Sequence, residues 1–295
     1  MKTQIFDGQA LADQREQALA SEIAQLPKKL KIAAILFQED EGSQLYTRLK
    51  REAAQRVGIE YQVEEFSLRA GVEPVLAKLT ELNRDSSLTG IIIQKPWRKT
   101  WIEANRIDDA NPKATRQAFT AWWRTLTTAI QPAKDVDGLH PTESPVLPAT
   151  VKAVLTILEV GLNITPTNWP ADKSVAIIGK SDIFGLPMTQ HLQDHGVKVD
   201  NLGSREFAQL TDSGRSLPHQ VVISATGQPH LITGQHIMEG AIVIDVGEPR
   251  PDVDRSSAEG VEGKVAFLTP VPGGVGPLTV ISLLENCLAL SRHVV

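Results

Sequence analysis

Cysteine occurs once in the 295 residues, at Cys287, which excludes an intramolecular disulfide and a cysteine-built zinc cluster. That usage fits a reducing cytosol, and with the two absences that follow a cytoplasmic protein is expected. Long apolar runs are missing as well. No stretch approaches about 18 apolar residues, the length of a membrane span. The start, MKTQIFDGQALADQ, carries no apolar core of signal-peptide length. Positive charge is not in excess either. A net charge of −5 offers no basic surface for nucleic acid or anionic lipid. The histidines, His140 included, show no ligand spacing, so no metal is expected. What is present is ordinary for a soluble globular enzyme: 41% hydrophobic residues, 22% charged, and a length sufficient for two domains.

Hydrophobic periodicity organises the chain into two series. KLKIAAILF (29–37) reads as a buried strand, followed by a helix from about Ser43 to Val57. EYQVEEFSL alternates like a strand, VEPVLAKLTELNRD is helical in period, and LTGIIIQKP is a second buried strand. That β-α-β-α-β order argues for a parallel sheet with crossover helices. After residue 149 the strands SVAIIG, KVDNL, HQVVISAT and AIVIDVG alternate with helices near 185–195 and 205–211. The expected division is residues 1–148 plus 277–295 as one domain and 149–276 as the other, the last helix packing back on the first domain. Residues 98–133 do not fit the sheet pattern. They hold Trp101, Trp122 and Trp123, with Trp97 just before them. Large aromatics demand cover: either they form a packed helical excursion over the N-terminal sheet, or Trp97 caps a ligand.

One lysine sits on the apolar side of its helix. At about 100° per residue, Gln44, Arg48, Arg51, Glu52, Gln55 and Arg56 occupy one arc, and Leu45, Leu49, Ala53, Ala54 and Val57 the other. Lys50 falls inside the apolar arc, with Tyr46 one turn before it. A lysine held against apolar surface loses hydration, which suits it to proton transfer near neutrality. The plainer reading is a snorkelling side chain, with Tyr46 a core residue.

The segment SVAIIGKSDIFGLPMTQHLQDHG reads as a strand, a turn with Gly179 and Gly185, and a helix. Such a βα turn can hold a phosphate, although the full G-x-G-x-x-G pattern is missing and an ordinary turn is the alternative. Lys180, Ser181, Ser204 and Arg205 would supply donors for a ribose 2′-phosphate. Asp200 would instead read a 2′-hydroxyl, and so NAD. ISATGQP ends a strand in small residues, letting a ring or ribose approach the backbone. PVPGGVGPLT (270–279) is a stiff, sharply turned segment feeding a helix in which Pro277 has the place of a first residue.

Ser43-x-x-Tyr46-x-x-x-Lys50, Gln94-x-Pro96, KDVDGLHP, GKSDIFGLP, ISATGQP, VIDVG and TPVPGGVGPLT occur in this order. With them, over nearly its whole length, the chain resembles the bifunctional methylenetetrahydrofolate dehydrogenase/cyclohydrolase family. The resemblance implies two three-layer α/β domains, the second a Rossmann-type NADP domain, with a folate cleft between them lined by the Pro-Gly segment. Lys50 would be the principal catalytic residue of hydrolysis, with Tyr46 packing on the folate and Gln94 bonding near Lys50. Asp137 would accept hydrogen bonds from the pterin, a job for a carboxylate. Its other reading is turn chemistry, since Asp-Gly favours turns. Ser43, Pro96, Pro272, Gly273, Gly274 and Pro277 would line the folate. Gly179, Lys180, Ser181 and Ile183, then Ser204 and Arg205, then Ala225, Thr226 and Gly227, would hold NADP. A homodimer in one-carbon metabolism and purine biosynthesis is implied, with tetrahydrofolate derivatives as substrates.

The chain also departs from the family pattern. QKPWR replaces Gln-Leu-Pro-Leu-Pro, Lys180 replaces an arginine, and residues 98–133 are longer than the matching connection. A monofunctional member, or a folate-binding scaffold using the Trp-rich insert, is the competing reading. A shikimate-type dehydrogenase does not explain PVPGGVGPLT.

Overall fold

The computed structural model describes residues 2–293 apart from Thr142 and Ser213. It divides into two compact units, Met1–Gln14 with Thr150–Ser282, and Arg15–Ala149 with Leu283–Val295. Both are α/β units built on parallel sheets.

In the Arg15–Ala149 unit, strands β2 (Lys31–Phe37), β3 (Glu60–Phe66) and β4 (Gly90–Ile93) form a sheet in the order β3-β2-β4. After Lys31, KIAAILF is apolar because β2 is central and covered on both faces, whereas EYQVEEF alternates because β3 is an edge. Ile32 is opposed by Tyr61 on one side and Gly90 on the other. Helices α2 (Glu41–Arg56) and α3 (Glu73–Arg84) are the crossovers. A bridge between Ile91 and Asp135 runs the segment around 135 parallel to β4. That approach needs Gly90, where a Cβ would lie 2.0 Å from Val136 Cγ1. The aromatic stretch forms α4 (Arg98–Ala104) and α5 (Pro112–Thr128). Trp122 packs 5.4 Å from Phe37 at the end of β2 and 5.9 Å from Trp101, and Trp123 is fully buried. These three tryptophans are packed cover for the sheet. Trp97 is not; it is 48% exposed.

The other unit has a six-stranded sheet, β1 (Gln4–Ile5), β9 (Phe267–Leu268), β8 (Ile242–Asp245), β7 (Val221–Ser224), β5 (Val175–Ile178) and β6 (Val199–Leu202), in that spatial order. Counting β5 as first gives 2-1-3-4-5, a doubly wound arrangement whose order reverses between β5 and β7. Helices α6 (Ala149–Leu162), α7 (Gly185–Asp194) and α8 (Ser204–Thr211) belong to it.

The chain ends differ from expectation. The first 14 residues join the second sheet rather than the first. Thr3 explains why: its hydroxyl donates to Val265 O at 2.8 Å and accepts from Gly263 N at 2.8 Å, and β1 then pairs with β9. Helix α1 (Gly8–Ile23) follows, with Gln9 N donating to Gly273 O and Gly8 in a space where a Cβ would lie 2.0 Å from Gly274 O. The last helix, α9, spans Val275–His293, so Pro277 is its third residue rather than its first, and its division falls after Ser282. No described helix is long and apolar enough to cross a membrane.

Candidate active site

Helix α2 is anchored at its start by one carboxylate. Asp40 Oδ2 accepts from Ser43 N at 2.9 Å and from Ser43 Oγ at 2.6 Å, while Oδ1 accepts from Trp97 N at 3.0 Å. Ser43 Oγ also contacts Lys95 O at 3.3 Å. The N-cap thus ties α2 to the loop after β4. Ser43 is buried and spent on this cap.

With the start of α2 fixed, Lys50 lies two turns inside and is only 8% exposed, which removes the snorkelling alternative. The helix buries Ser43, Thr47, Lys50, Ala53 and Ala54, whereas Leu45 and Leu49 are exposed at 37% and 40%. Lys50 therefore faces inward in place of the leucines that periodicity had put there. Its Nζ donates to Gln94 Oε1 at 3.3 Å. Gln94 continues β4, its N donating to Ile35 O at 2.9 Å, and is itself buried, as is Pro96. Tyr46 is half-buried one turn before Lys50.

Asp137 comes to the same place from the far side of β4. Burial raises its carboxyl above the ordinary carboxylate range; Lys50 opposes that and Asp135 adds to it. The motif KDVDG divides its labour. Lys134 Nζ donates to the carbonyls of Leu82, Asn83 and Asp85 at 2.9, 2.8 and 2.6 Å, closing the end of α3. Asp135 is buried and accepts from His140 N at 2.7 Å. Gly138 has φ 68°, and a Cβ there would lie 2.6 Å from Leu147 C. The turn reading and the binding reading of Asp137 are therefore compatible: its backbone makes the turn, accepting from Ala149 N, while its carboxyl feels the charge of Lys50. Asn286 of α9 clamps the same loop, its Nδ2 donating to Val136 O at 3.1 Å and Leu147 O at 2.9 Å. Nothing local in the sequence marks Asn286; a partner some 150 residues away has no periodic signature.

The Nζ of Lys95 lies 5.5 Å over the Phe119 ring and 5.1 Å over the Trp123 ring. Trp97 lies against Gly42, whose Cβ would sit 2.7 Å from Trp97 Nε1.

The other unit supplies a nucleotide-type cradle at its topological switch point. Gly179 follows β5 with φ 121°, and a Cβ there would lie 2.3 Å from Ala225 O, just past β7. A Cβ on Gly185 would lie 2.0 Å from Gly179 O. Only glycines let β5, β7 and α7 converge there, the arrangement by which such sheets take nucleotides at the carboxyl ends of their strands. Ser181 closes the turn, accepting from Gly185 N through Oγ at 3.3 Å and from Leu186 N through O at 2.9 Å; Ile183 is half-buried within it. Beyond β7, Asp252 Oδ2 accepts from Ser224 Oγ at 2.8 Å and Thr226 N at 2.6 Å, and Gly227 has φ 66°. Neighbouring Asp245 is pushed up to about 7 by burial, with Asp252 adding to the rise and backbone N–H groups opposing it.

The ribose-end candidates are differently engaged. Arg205 is exposed, and Ser204 Oγ accepts from Gln228 Nε2 at 2.8 Å. Lys180 Nζ pairs with Glu206 at 2.7 Å. Asp200, the alternative reader, pairs with the buried His219 at 2.9 Å. Glu206 was not singled out by sequence, because its importance comes from meeting Lys180 across the β5–β6 edge. Pro272, Gly273 and Gly274 belong to the same unit, Gly273 with φ 96°, and a Cβ on Gly274 would lie 2.5 Å from Pro270 O. Among the described residues no cluster of His, Cys, Asp and Glu could hold a metal ion.

Two family models match the chain. One, for the tetrahydrofolate dehydrogenase/cyclohydrolase catalytic domain, covers residues 6–113; the other, for the NAD(P)-binding domain of the same family, covers 148–294. Over 301 aligned residues the chain is 35% identical to the bifunctional protein FolD of Streptococcus pyogenes serotype M5 (strain Manfredo), covering 96% of each. It is similar to the N5,N10-methylenetetrahydrofolate dehydrogenase-cyclohydrolase (FolD) of Trypanosoma brucei, solved with NADP and an inhibitor. That match has TM-score 0.79 at 28% identity over 99% of this chain and 98% of that one. The NAD-dependent 5,10-methylenetetrahydrofolate dehydrogenase of Saccharomyces cerevisiae shares the fold, with TM-score 0.73 at 16% identity over 100% of this chain and 98% of that one.

Proposed function

The chain belongs to the tetrahydrofolate dehydrogenase/cyclohydrolase family, and on that footing we propose the roles of its residues and its cofactor preference. It is a bifunctional FolD-type enzyme of one-carbon metabolism, a dehydrogenase and a cyclohydrolase that binds folate substrates and NAD(P). The monofunctional and scaffold readings fall with that assignment.

The reaction is oxidation of 5,10-methylenetetrahydrofolate to the methenyl form, then hydrolysis to 10-formyltetrahydrofolate. NADP, when bound, accepts the hydride lost from the methylene carbon. The cationic methenyl carbon then takes the oxygen of water, its bond to N5 breaks, and N5 gains a proton, with one proton released overall. Lys50 is the group we assign to moving these protons. Its burial excludes bulk water from Nζ, and Gln94 Oε1 holds it in place. Asp137 accepts the pterin's amino and ring N–H groups, and Tyr46 packs on the folate. The single observation that carries this reading is the convergence of Lys50, Gln94 and Asp137, drawn from α2, β4 and the 134–138 loop.

We assign NADP over NAD. Lys180 and Arg205 offer cations at the end of β6, while the carboxylate that would read a 2′-hydroxyl, Asp200, is held by His219. Ser181, Ile183, Ser204 and the 225–227 turn complete that half, with Gly179 allowing the backbone to approach. A homodimer in the cytoplasm is the assembly we assign, on family likeness. A coupled assay tests the whole reading: NADPH formation from methylenetetrahydrofolate, with methenyl hydrolysis followed separately. Stoichiometric folate binding without turnover of either step would overturn it.

A further inference from the structure

Gln94 is asymmetric. Its Oε1 accepts from Lys50, and because an ammonium only donates, the amide oxygen must be on that side. Nε2 is thereby turned away, buried and without a hydrogen-bond partner. A second buried polar atom has the same deficit: the hydroxyl of Tyr61.

The strand register explains why the two belong together. Ile32 is opposed by Tyr61 on β3 and by Gly90 on β4, and Gln94 lies an even number of residues past Gly90. With the period of two, Tyr61 and Gln94 point to the same face of the sheet. Burial raises the Tyr61 phenol; the Gln94 amide acts against the rise, Asp137 adds to it, and Arg51 opposes it. The amide is therefore close enough to bias the phenol, although neither atom completes a hydrogen bond. Tyr61 is not among the residues that the family motifs pick out. It lies on an edge strand as part of an alternating EYQVEEF pattern, and its ring is only half-buried while its hydroxyl is inaccessible.

We propose that Tyr61 is a positioning residue for the cyclohydrolase step: in the working enzyme its hydroxyl takes the hydrogen bond that Gln94 Nε2 lacks in the resting structure, and so locks the amide with Oε1 toward Lys50. An unlocked amide can turn over, presenting its NH₂ group to the Lys50 ammonium, and Lys50 then loses an acceptor and its fixed position. Tyr61 acts only through Gln94. The inference rests on the assignment of Lys50 to hydrolysis, and its test separates the two.

The experiment is a double-mutant cycle on methenyl hydrolysis with Tyr61→Phe, Gln94→Ala and the pair, together with Lys50→Met. Phe keeps the ring and its packing, so the melting temperature of Tyr61→Phe should hold. Its kcat for hydrolysis should fall about tenfold with the folate KM unchanged, and adding it to Gln94→Ala should cause no further loss. An unchanged kcat, a rise in KM at constant kcat, or a full additive loss in the Gln94→Ala background would overturn the proposal. If Lys50→Met abolishes hydrolysis while Tyr61→Phe leaves it intact, the Tyr61 inference alone fails. If Lys50→Met hydrolyses at the wild-type rate, the assignment of Lys50 fails and the inference with it.

Discussion

Around Lys50 the charged groups are buried: the lysine is 8% exposed, and desolvation dominates the state of Asp137. At the end of β6 the side chains of Lys180 and Glu206 stay 44% and 49% exposed, and Arg205 is exposed too. The two regions use charge for different ends. A group that must move protons as water adds to a cationic carbon benefits from a dry setting with few neighbours, because each interaction is stronger there. A group that must only recognise a phosphate works in water, where it can be paired with Glu206 and released at little cost. Losses in the first region should therefore be large and confined to one step, and losses in the second modest and confined to one ligand.

The sharpest way to break that contrast is Lys50→Met. Methionine keeps an apolar stem of similar length where α2 is buried, so the fold should persist while hydrolysis drops about 10²- to 10⁴-fold. Hydrolysis at the wild-type rate, followed by loss of the methenyl chromophore, would remove Lys50 from the chemistry. Next comes Asp137→Ala, which deprives the pterin donors of an ionised acceptor and should cost about 1.5–3 kcal/mol of folate binding. Calorimetry across pH adds a sign. The carboxyl of free enzyme is held above the ordinary carboxylate range, so it binds its proton first as pH falls, and folate affinity should weaken at a pH higher than a typical Asp would dictate. Asp137→Asn should flatten that limb. Affinity indifferent to both variants would leave Asp137 a turn residue only.

A smaller effect is expected at the exposed end. Replacing Lys180 and Arg205 together by Ala should weaken NADP roughly tenfold and NAD hardly at all, since only NADP presents the extra phosphate. Equal losses, or a wild-type preference for NAD, would hand discrimination to Asp200. The smallest concerns Trp97, an exposed aromatic lying against the start of α2. Trp97→Ala should raise the folate KM about two- to fivefold with the melting temperature nearly constant. A lower melting temperature with KM intact would make Trp97 scaffolding, like its neighbours Trp101 and Trp123.

Much of this was legible in one dimension. A lysine in an apolar helical arc is visible because 3.6-residue periodicity is local, and the buried strands KIAAILF, VAII, VVIS and IVID announce themselves by composition. The same periodicity misjudged the arc's edges. It grouped Leu45 and Leu49 with the buried side, whereas α2 turns Ser43 and Thr47 inward, because the Asp40 cap sets the helix's rotation. Strands of two residues, such as β1 and β9, carry no period at all, so the docking of the first 14 residues on the second sheet could not be read.

By itself the sequence determined the α/β class, the two alternating series of buried strands and helices, and the family motifs that carry Lys50, Gln94 and Asp137, since each depends on spacing along the chain or on residue type. Tertiary structure alone decided which atoms meet: Asn286 on the 136–147 loop, Glu206 on Lys180, and His219 on Asp200. Those pairings join residues from about 19 to 150 positions apart. No local preference encodes them; they follow from strand register and helix rotation, which are set only when the whole sheet packs.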